Sequence, residues 1–159
     1  MNFYLAPSPF HIELAQIKDA KRLADLHEGA FHRSWSENEF SLMLSSAHKN
    51  PCLIVCDKKR KIVAFAILKQ VQDEAELLSI ITDRKWRKKG IGKALLVAII
   101  EFLTMSPVTK FFLEVAEDNV AAIKLYNGFG FEIIGKRENY YSLAGAKSAN
   151  ALVMALNLD

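Results

Sequence analysis

Polar and apolar residues change period several times along this chain, and each change marks an element. From Phe10 to Leu14 they alternate, which predicts a half-buried strand. Behind Asp19, read as an N-cap, Leu23, Leu26 and Ala30 recur at helical spacing. Ser36-Glu37-Asn38-Glu39 has the form of a capping box and predicts a second helix, with Phe40, Met43 and Leu44 on its apolar face. Cys52 to Val55 and Ile62 to Leu68 read as strands. The charged turn Asp57 to Lys61 joins them into a hairpin.

Glu76 to Thr82 reads as a further strand, followed by a glycine-containing loop. A helix is then predicted from Gly92 to Met105, because Leu95, Leu96, Ile99, Ile100 and Leu103 keep a helical repeat and Pro107 stops it. Phe111 to Val115 is a strand and Asn119 to Gly128 a helix. Phe131 to Lys136 and Ala151 to Leu156 are the last two strands. The order is one strand, two helices, several strands, then βαβαββ. No repeat or linker interrupts it, so the expectation is one α/β (α+β) domain over residues 1–159.

Composition narrows the picture. With 51% hydrophobic and 25% charged residues, the chain can pack a core and is not disordered. A net charge of +3 is too small for general nucleic-acid binding, though it suits an anionic ligand if concentrated locally. The most apolar stretch, Ala94 to Leu103, is interrupted by Glu101 and predicts no membrane span. No basic region followed by an apolar run opens the chain, so no signal peptide is expected. Cys52 and Cys56 are spaced too widely for a C-x-x-C pair. His11, His27, His32 and His48 share no metal-ligand spacing. Both cysteines are therefore expected on a buried strand and the histidines in structural or exposed positions, without a metal. The expected setting is the reducing cytoplasm.

The sharpest local signal is a strand, then Arg87-Lys88-Lys89-Gly90-Ile91-Gly92-Lys93, then a helix. Two glycines let the backbone turn tightly and approach a ligand. The first-turn N–H groups of the helix lack internal partners and favour an anion. Lys85, Arg87, Lys88 and Lys89 add positive charge. The pattern lacks the spacing and Lys-Ser/Thr pair of a nucleotide-triphosphate loop and the third glycine of a dinucleotide fingerprint. On these residues alone, a basic exposed glycine turn is as good a reading as a polyphosphate site.

Taken with its neighbours, the segment resembles the Gcn5-related N-acetyltransferase superfamily, whose motif Arg/Gln-x-x-Gly-x-Gly/Ala binds the pyrophosphate of acetyl-CoA. Phe112-Leu113-Glu114-Val115, Asn119, Ala121, Ala122, Tyr126 and Gly130-Phe131 resemble the second half of that pattern. Within the superfamily the chain looks most like the RimI-type ribosomal-protein-alanine N-acetyltransferases. Trp35-Ser36, the spacing of Glu114, Asn119 and Tyr126, and Arg137-Glu138-Asn139-Tyr140-Tyr141 carry this likeness. Arg84, Ile81 and Asn150 depart from residues common in the family. The resemblance implies a mixed sheet of six to seven strands flanked by about four helices, with acetyl-CoA as cosubstrate. It also implies a peptide N-terminus as acceptor, that of a ribosomal protein.

The resemblance also distributes roles. An amine must lose a proton to attack the thioester, and the strand-end Glu114 is the candidate base; a salt-bridged glutamate is the competing reading. Tyr126 is the candidate acid for the departing thiolate, against an aromatic core contact. Backbone N–H groups of Ile80, Ile81 and Thr82 would face the pantetheine and the thioester carbonyl, if the strands part there. Asn119 would touch the cofactor, cap the next helix, or do both. Trp35, Glu37, Tyr140 and Tyr141 are candidates for the acceptor groove, or else aromatic and polar cover over the core. Acetylation of protein lysine or a small amine, and acyl-CoA binding without catalysis, are the alternatives.

Overall fold

The computed structural model describes residues 9–29, 34–141 and 149–159, with the backbone alone of 139–141 and 149. The elements run β1 (His11–Leu14), α1 (Ala20–Glu28), α2 (Glu37–Ser45), β2 (Cys52–Cys56), β3 (Ile62–Val71) and β4 (Glu74–Thr82). They continue with α3 (Ile91–Thr104), β5 (Lys110–Ala116), α4 (Val120–Gly128), β6 (Glu132–Tyr141) and β7 (Ala149–Asn157). Seven strands form one mixed sheet in the order β1-β2-β3-β4-β5-β7-β6, in which only β4 and β5 pair in parallel. The expected strand and helix types all appear, and β3, β4, β6 and β7 run longer than their apolar cores suggested.

Each face of the sheet carries its own core. On one side Leu95, Leu96, Ile99 and Leu103 of α3 and Tyr126 of α4 pack over Leu53, Val63, Phe111 and Leu113. On the other, Leu23 of α1 and Phe40 and Leu44 of α2 pack over Ile54, Phe65 and Ile67. β2 is buried at all five positions because helices cover both of its faces. Cys52 and Cys56 are free and buried there, as expected. Burial pushes both thiols up, Cys56 to about 11, so they pack as small apolar residues.

The start of α2 follows its sequence closely. The Ser36 hydroxyl accepts from the Glu39 N–H and the Glu39 carboxylate accepts from the Ser36 N–H. Asp19 corrects the expectation for α1. It precedes the helix, but its side chain does not cap it. One carboxylate oxygen accepts from the N–H of Gln16 instead, and Arg60 from the β2–β3 turn grips both oxygens. The carboxylate serves the turn before α1, and Arg60 pairs with it there.

Candidate functional site

The site begins where the parallel pair fails. β4 and β5 pair only over Glu74 to Glu76 with Lys110 to Phe112. Beyond that, Leu77 to Thr82 and Leu113 to Ala116 have no partner in each other. A bulge at Leu78 helps to bend β4 away, since Leu68 pairs with Leu77 but Ile67 with Ser79.

Ladder alternation identifies the groups that line this gap. The N–H of Asp83 bonds Val63 O at 2.8 Å. Antiparallel pairing alternates, so Ile81 and Ser79 also bond β3, while Ile80 and Thr82 turn their N–H and C=O toward β5. The same count on the other wall, from Glu117 N to Asn150 O at 2.8 Å, turns the backbones of Glu114 and Ala116 inward. Of the three predicted backbone contacts, Ile80 and Thr82 thus face the gap. Ile81 instead points a buried side chain into the α1–α2 core.

At the mouth of the gap lies the glycine loop. Lys88 has φ +61° and Gly90 φ +78°, two left-handed residues that reverse the chain into α3. Gly90 is the N-cap of α3 and supplies no capping side chain, so the first-turn N–H groups remain available. A Cβ built on Gly92 would meet no protein atom within 4 Å, which leaves the helix start open to a ligand. Ile91 is buried and anchors the helix, while Arg87, Lys88, Lys89 and Lys93 are exposed. Trp86 packs edge-on against Phe10, ring centroids 5.1 Å apart, and pins the loop to the sheet. Arg87 Nε donates to Thr82 O at 3.2 Å, tying the loop to the gap wall.

Glu114 is the charged residue within the apolar run Phe111 to Ala116 of β5. Leu113 and Val115 enter the α3–α4 core, so Glu114 lies on the α1–α2 side of the sheet. Its side chain is 21% exposed and both oxygens accept from Arg137 Nη1, at 2.9 and 3.1 Å. Tyr126 sits on the opposite face, buried in α4 with its ring 5.7 Å from that of Phe131. The two candidate proton carriers therefore stand on opposite faces of the sheet. Asn119 caps α4, its Oδ1 accepting from the Ala122 N–H at 3.2 Å.

The α1–α2 side also holds Trp35 and Glu37. Half-buried Trp35 and exposed Glu37 line a cleft of about 270 Å³ with Lys21, Asp25 and Glu28. Tyr140 and Tyr141 continue the backbone of β6, and their side chains lie outside the described residues. A second cleft of about 350 Å³ runs from Gly29 and Leu26 past Thr82 to Arg87. Arg22 and Asp83 line it and pair at 3.0 Å. Burial works against the Asp83 carboxylate, but the Lys85 N–H and Arg22 outweigh it and hold its carboxyl below the usual range. Sequence reasoning missed the Arg22–Asp83 pair; the salt bridge of Glu114 is the competing reading it offered, but the partner Arg137 was not legible, because nothing in local spacing marks residues so far apart.

Among the described residues, His11, Glu13 and Cys56 bring donor atoms within 4.8 Å of one another. Arg60 Nε stands 2.7 Å from Glu13 Oε1, and burial pushes the Cys56 thiol up. No helix among the described residues is long and apolar enough to cross a membrane.

The Acetyltransferase (GNAT) family profile matches residues 20–131. A [ribosomal protein bS18]-alanine N-acetyltransferase of Haemophilus ducreyi is 32% identical over 92% of this chain and 99% of its own. Its counterpart from Escherichia coli K12 is 37% identical over 79% of this chain and 82% of its own. The crystal structure of the ribosomal-protein-S18-alanine N-acetyltransferase from Escherichia coli superposes with a TM-score of 0.86, at 30% identity over 94% of both chains.

Proposed function

The chain belongs to the acetyltransferase (GNAT) family as an acetyl-CoA-dependent N-acetyltransferase, and from that premise we propose that its acceptor is the N-terminal alanine of a small-subunit ribosomal protein. The observation that carries the acetyl-CoA site is the unpaired stretch between β4 and β5, opening at the uncapped start of α3. The acceptor rests on the relatives, which are named for acting on bS18 alanine.

The residues fit a pyrophosphate linked to a slender thioester arm. The first-turn N–H groups of α3 and the loop cations Arg87, Lys88 and Lys89 hold the phosphates. Lys93 adds charge to that turn and Asn119 flanks the opposite wall. The Ile80 and Thr82 backbones hydrogen-bond the extended arm and offer donors where charge grows on the thioester oxygen.

Glu114 takes the proton from the attacking amine, directly or through a water, and Arg137 keeps the carboxylate aimed. The amine nitrogen forms the new C–N bond as the C–S bond breaks. The Tyr126 phenol gives its proton to the leaving thiolate from the other face and regains one from solvent. The acceptor approaches from the α1–α2 side, the face that carries Glu114 and the cleft of Trp35 and Glu37, with Tyr140 and Tyr141 of β6 as further candidates for its groove. Two buried free cysteines suit a reducing cytoplasm.

The deciding experiment follows thiol release from acetyl-CoA with three acceptor sets. These are alanine-first peptides, Nα-blocked lysine peptides and polyamines. Turnover confined to the alanine-first set is expected. Turnover with lysines or polyamines alone would keep the acetyl-CoA site and overturn the acceptor. Acetyl-CoA binding without turnover on any acceptor would favour a non-catalytic module.

A further inference from the structure

The entry to α2 is held in an unusual way. Two consecutive backbone N–H groups are each held by a side chain. That of Trp35 donates to His27 Nδ1 at 3.0 Å and that of Ser36 to Glu39 Oε2 at 2.7 Å. His27, on α1, is only 2% exposed. Its ring stacks on the Trp35 indole, with centroids 4.5 Å apart and planes 14° from parallel. Phe40 meets both rings edge-on, at 5.5 Å from His27 and 5.6 Å from Trp35. Trp35, Ser36 and Glu37 then form one wall of the cleft on this side.

We propose that His27 is a positioning residue for acceptor capture, its neutral imidazole seating Trp35 and the first turn of α2 where the acceptor docks. The proposal rests on placing the acceptor at Trp35 and goes beyond it by naming what sets that wall. Nδ1 accepts the Trp35 N–H, so the ring proton sits on Nε2. Protonation would turn Nδ1 into a donor facing a donor. It would break the bond and bring a charge beneath the indole. Burial opposes that charge and lowers the His27 pKa from its usual value. The Glu39 carboxylate on α2, the charged group acting on the ring from the packed elements, pulls the other way and is outweighed. His27 is accordingly neutral at working pH.

The test compares His27→Ala with His27→Asn, whose Oδ1 can take the place of Nδ1. In His27→Ala the acceptor KM is expected to rise about tenfold, with kcat and the acetyl-CoA KM unchanged; His27→Asn should restore it. An unchanged acceptor KM in His27→Ala, or a rise accompanied by a lower kcat and a higher acetyl-CoA KM, overturns the proposal. The second readout is affinity for an alanine-first peptide free of Asp, Glu and His, from pH 7 down to the pH at which NMR shows the His27 ring protonated. Its own α-amino group, with a pKa of about 8, is charged throughout this window. Affinity should fall with pH in the wild type and stay level in His27→Asn. A level wild-type profile, or parallel profiles, would sink the idea. Trp35→Ala separates the premise from the inference. If it leaves acceptor KM untouched, the acceptor does not dock at Trp35. If it raises KM while the His27 variants do nothing, only the positioning role fails.

Discussion

Arg137 reaches from β6 across β7 to give Nη1 to both carboxylate oxygens of Glu114 on β5, at 2.9 and 3.1 Å. Register explains the reach, because Glu114 pairs with Val153 and Arg137 with Ala151, two residues along β7. A half-exposed pair of this kind adds little to stability, at most about 1 kcal/mol after solvent screening. Its consequence is orientation of the proposed base. Glu114→Gln should lower kcat about a hundredfold without changing acetyl-CoA affinity. Arg137→Gln should lower kcat by a smaller factor, about five- to tenfold, and leave the melting temperature within a degree or two. Full activity in Glu114→Gln would remove the residue from the mechanism.

Tyr126→Phe tests the opposite face of the sheet. The ring is buried against Phe131, and phenylalanine keeps that packing. Stability should change by less than about 1.5 kcal/mol. If the phenol protonates the leaving thiolate, kcat should fall about a hundredfold with acetyl-CoA affinity kept. A variant that loses stability but not turnover would assign Tyr126 to the core alone.

The alternating patterns exposed most of the fold, because a strand or helix half-buried on a sheet must repeat its apolar residues at the element's own period. The glycine loop was legible for a similar reason: Gly90 and Gly92 sit where a helix begins, and a helix start is read locally. The gap itself was not legible. Whether β4 and β5 part after Glu76 depends on pairing between segments far apart in the chain. His27 and Trp35 are eight residues apart, outside any helical repeat, and meet because α1 and α2 fold against each other. Asp19 was read as a cap because the residue before a helix usually is one. Its carboxylate is instead drawn to Arg60, 41 residues away.

The loop glycines should answer alanine substitution with opposite signs. Gly90 has φ +78°, a conformation that costs an L side chain about 1–2 kcal/mol. Gly90→Ala should therefore destabilise the fold and weaken acetyl-CoA binding. Gly92 lies in the first turn of α3 with open space around its Cβ direction. Gly92→Ala should raise stability by about 0.5–1 kcal/mol. Denaturant titration and acetyl-CoA binding on both variants check this. Equal destabilisation would mean that the loop geometry is wrong.

Arg87→Ala and Lys89→Ala should each weaken acetyl-CoA binding and flatten its dependence on salt, since each removes a cation from the proposed phosphate site. Dephospho-CoA should bind these variants and the wild type with a similar ratio if the contacts go to the pyrophosphate. Unchanged affinity in both variants would overturn the phosphate-loop assignment.

Asp19 predicts where acid begins to loosen the fold. Its side chain is 6% exposed, and Arg60 donates to its two oxygens at 3.0 and 3.3 Å. Burial alone would raise the carboxyl pKa. Arg60 and the Gln16 N–H outweigh it, and the carboxyl is held below its usual range. A carboxylate with a lowered folded pKa binds fewer protons when folded than unfolded. Its stabilisation is complete above the unfolded value of about 3.9 and drains away as pH falls through the folded one. Asp19→Asn should cost about 2–4 kcal/mol at pH 7, because Arg60 loses a buried partner while keeping Glu13. The gap between variant and wild type should close toward pH 3. Urea unfolding at both pH values measures this, and an equal deficit at each would show that the loss is one of packing and not of charge.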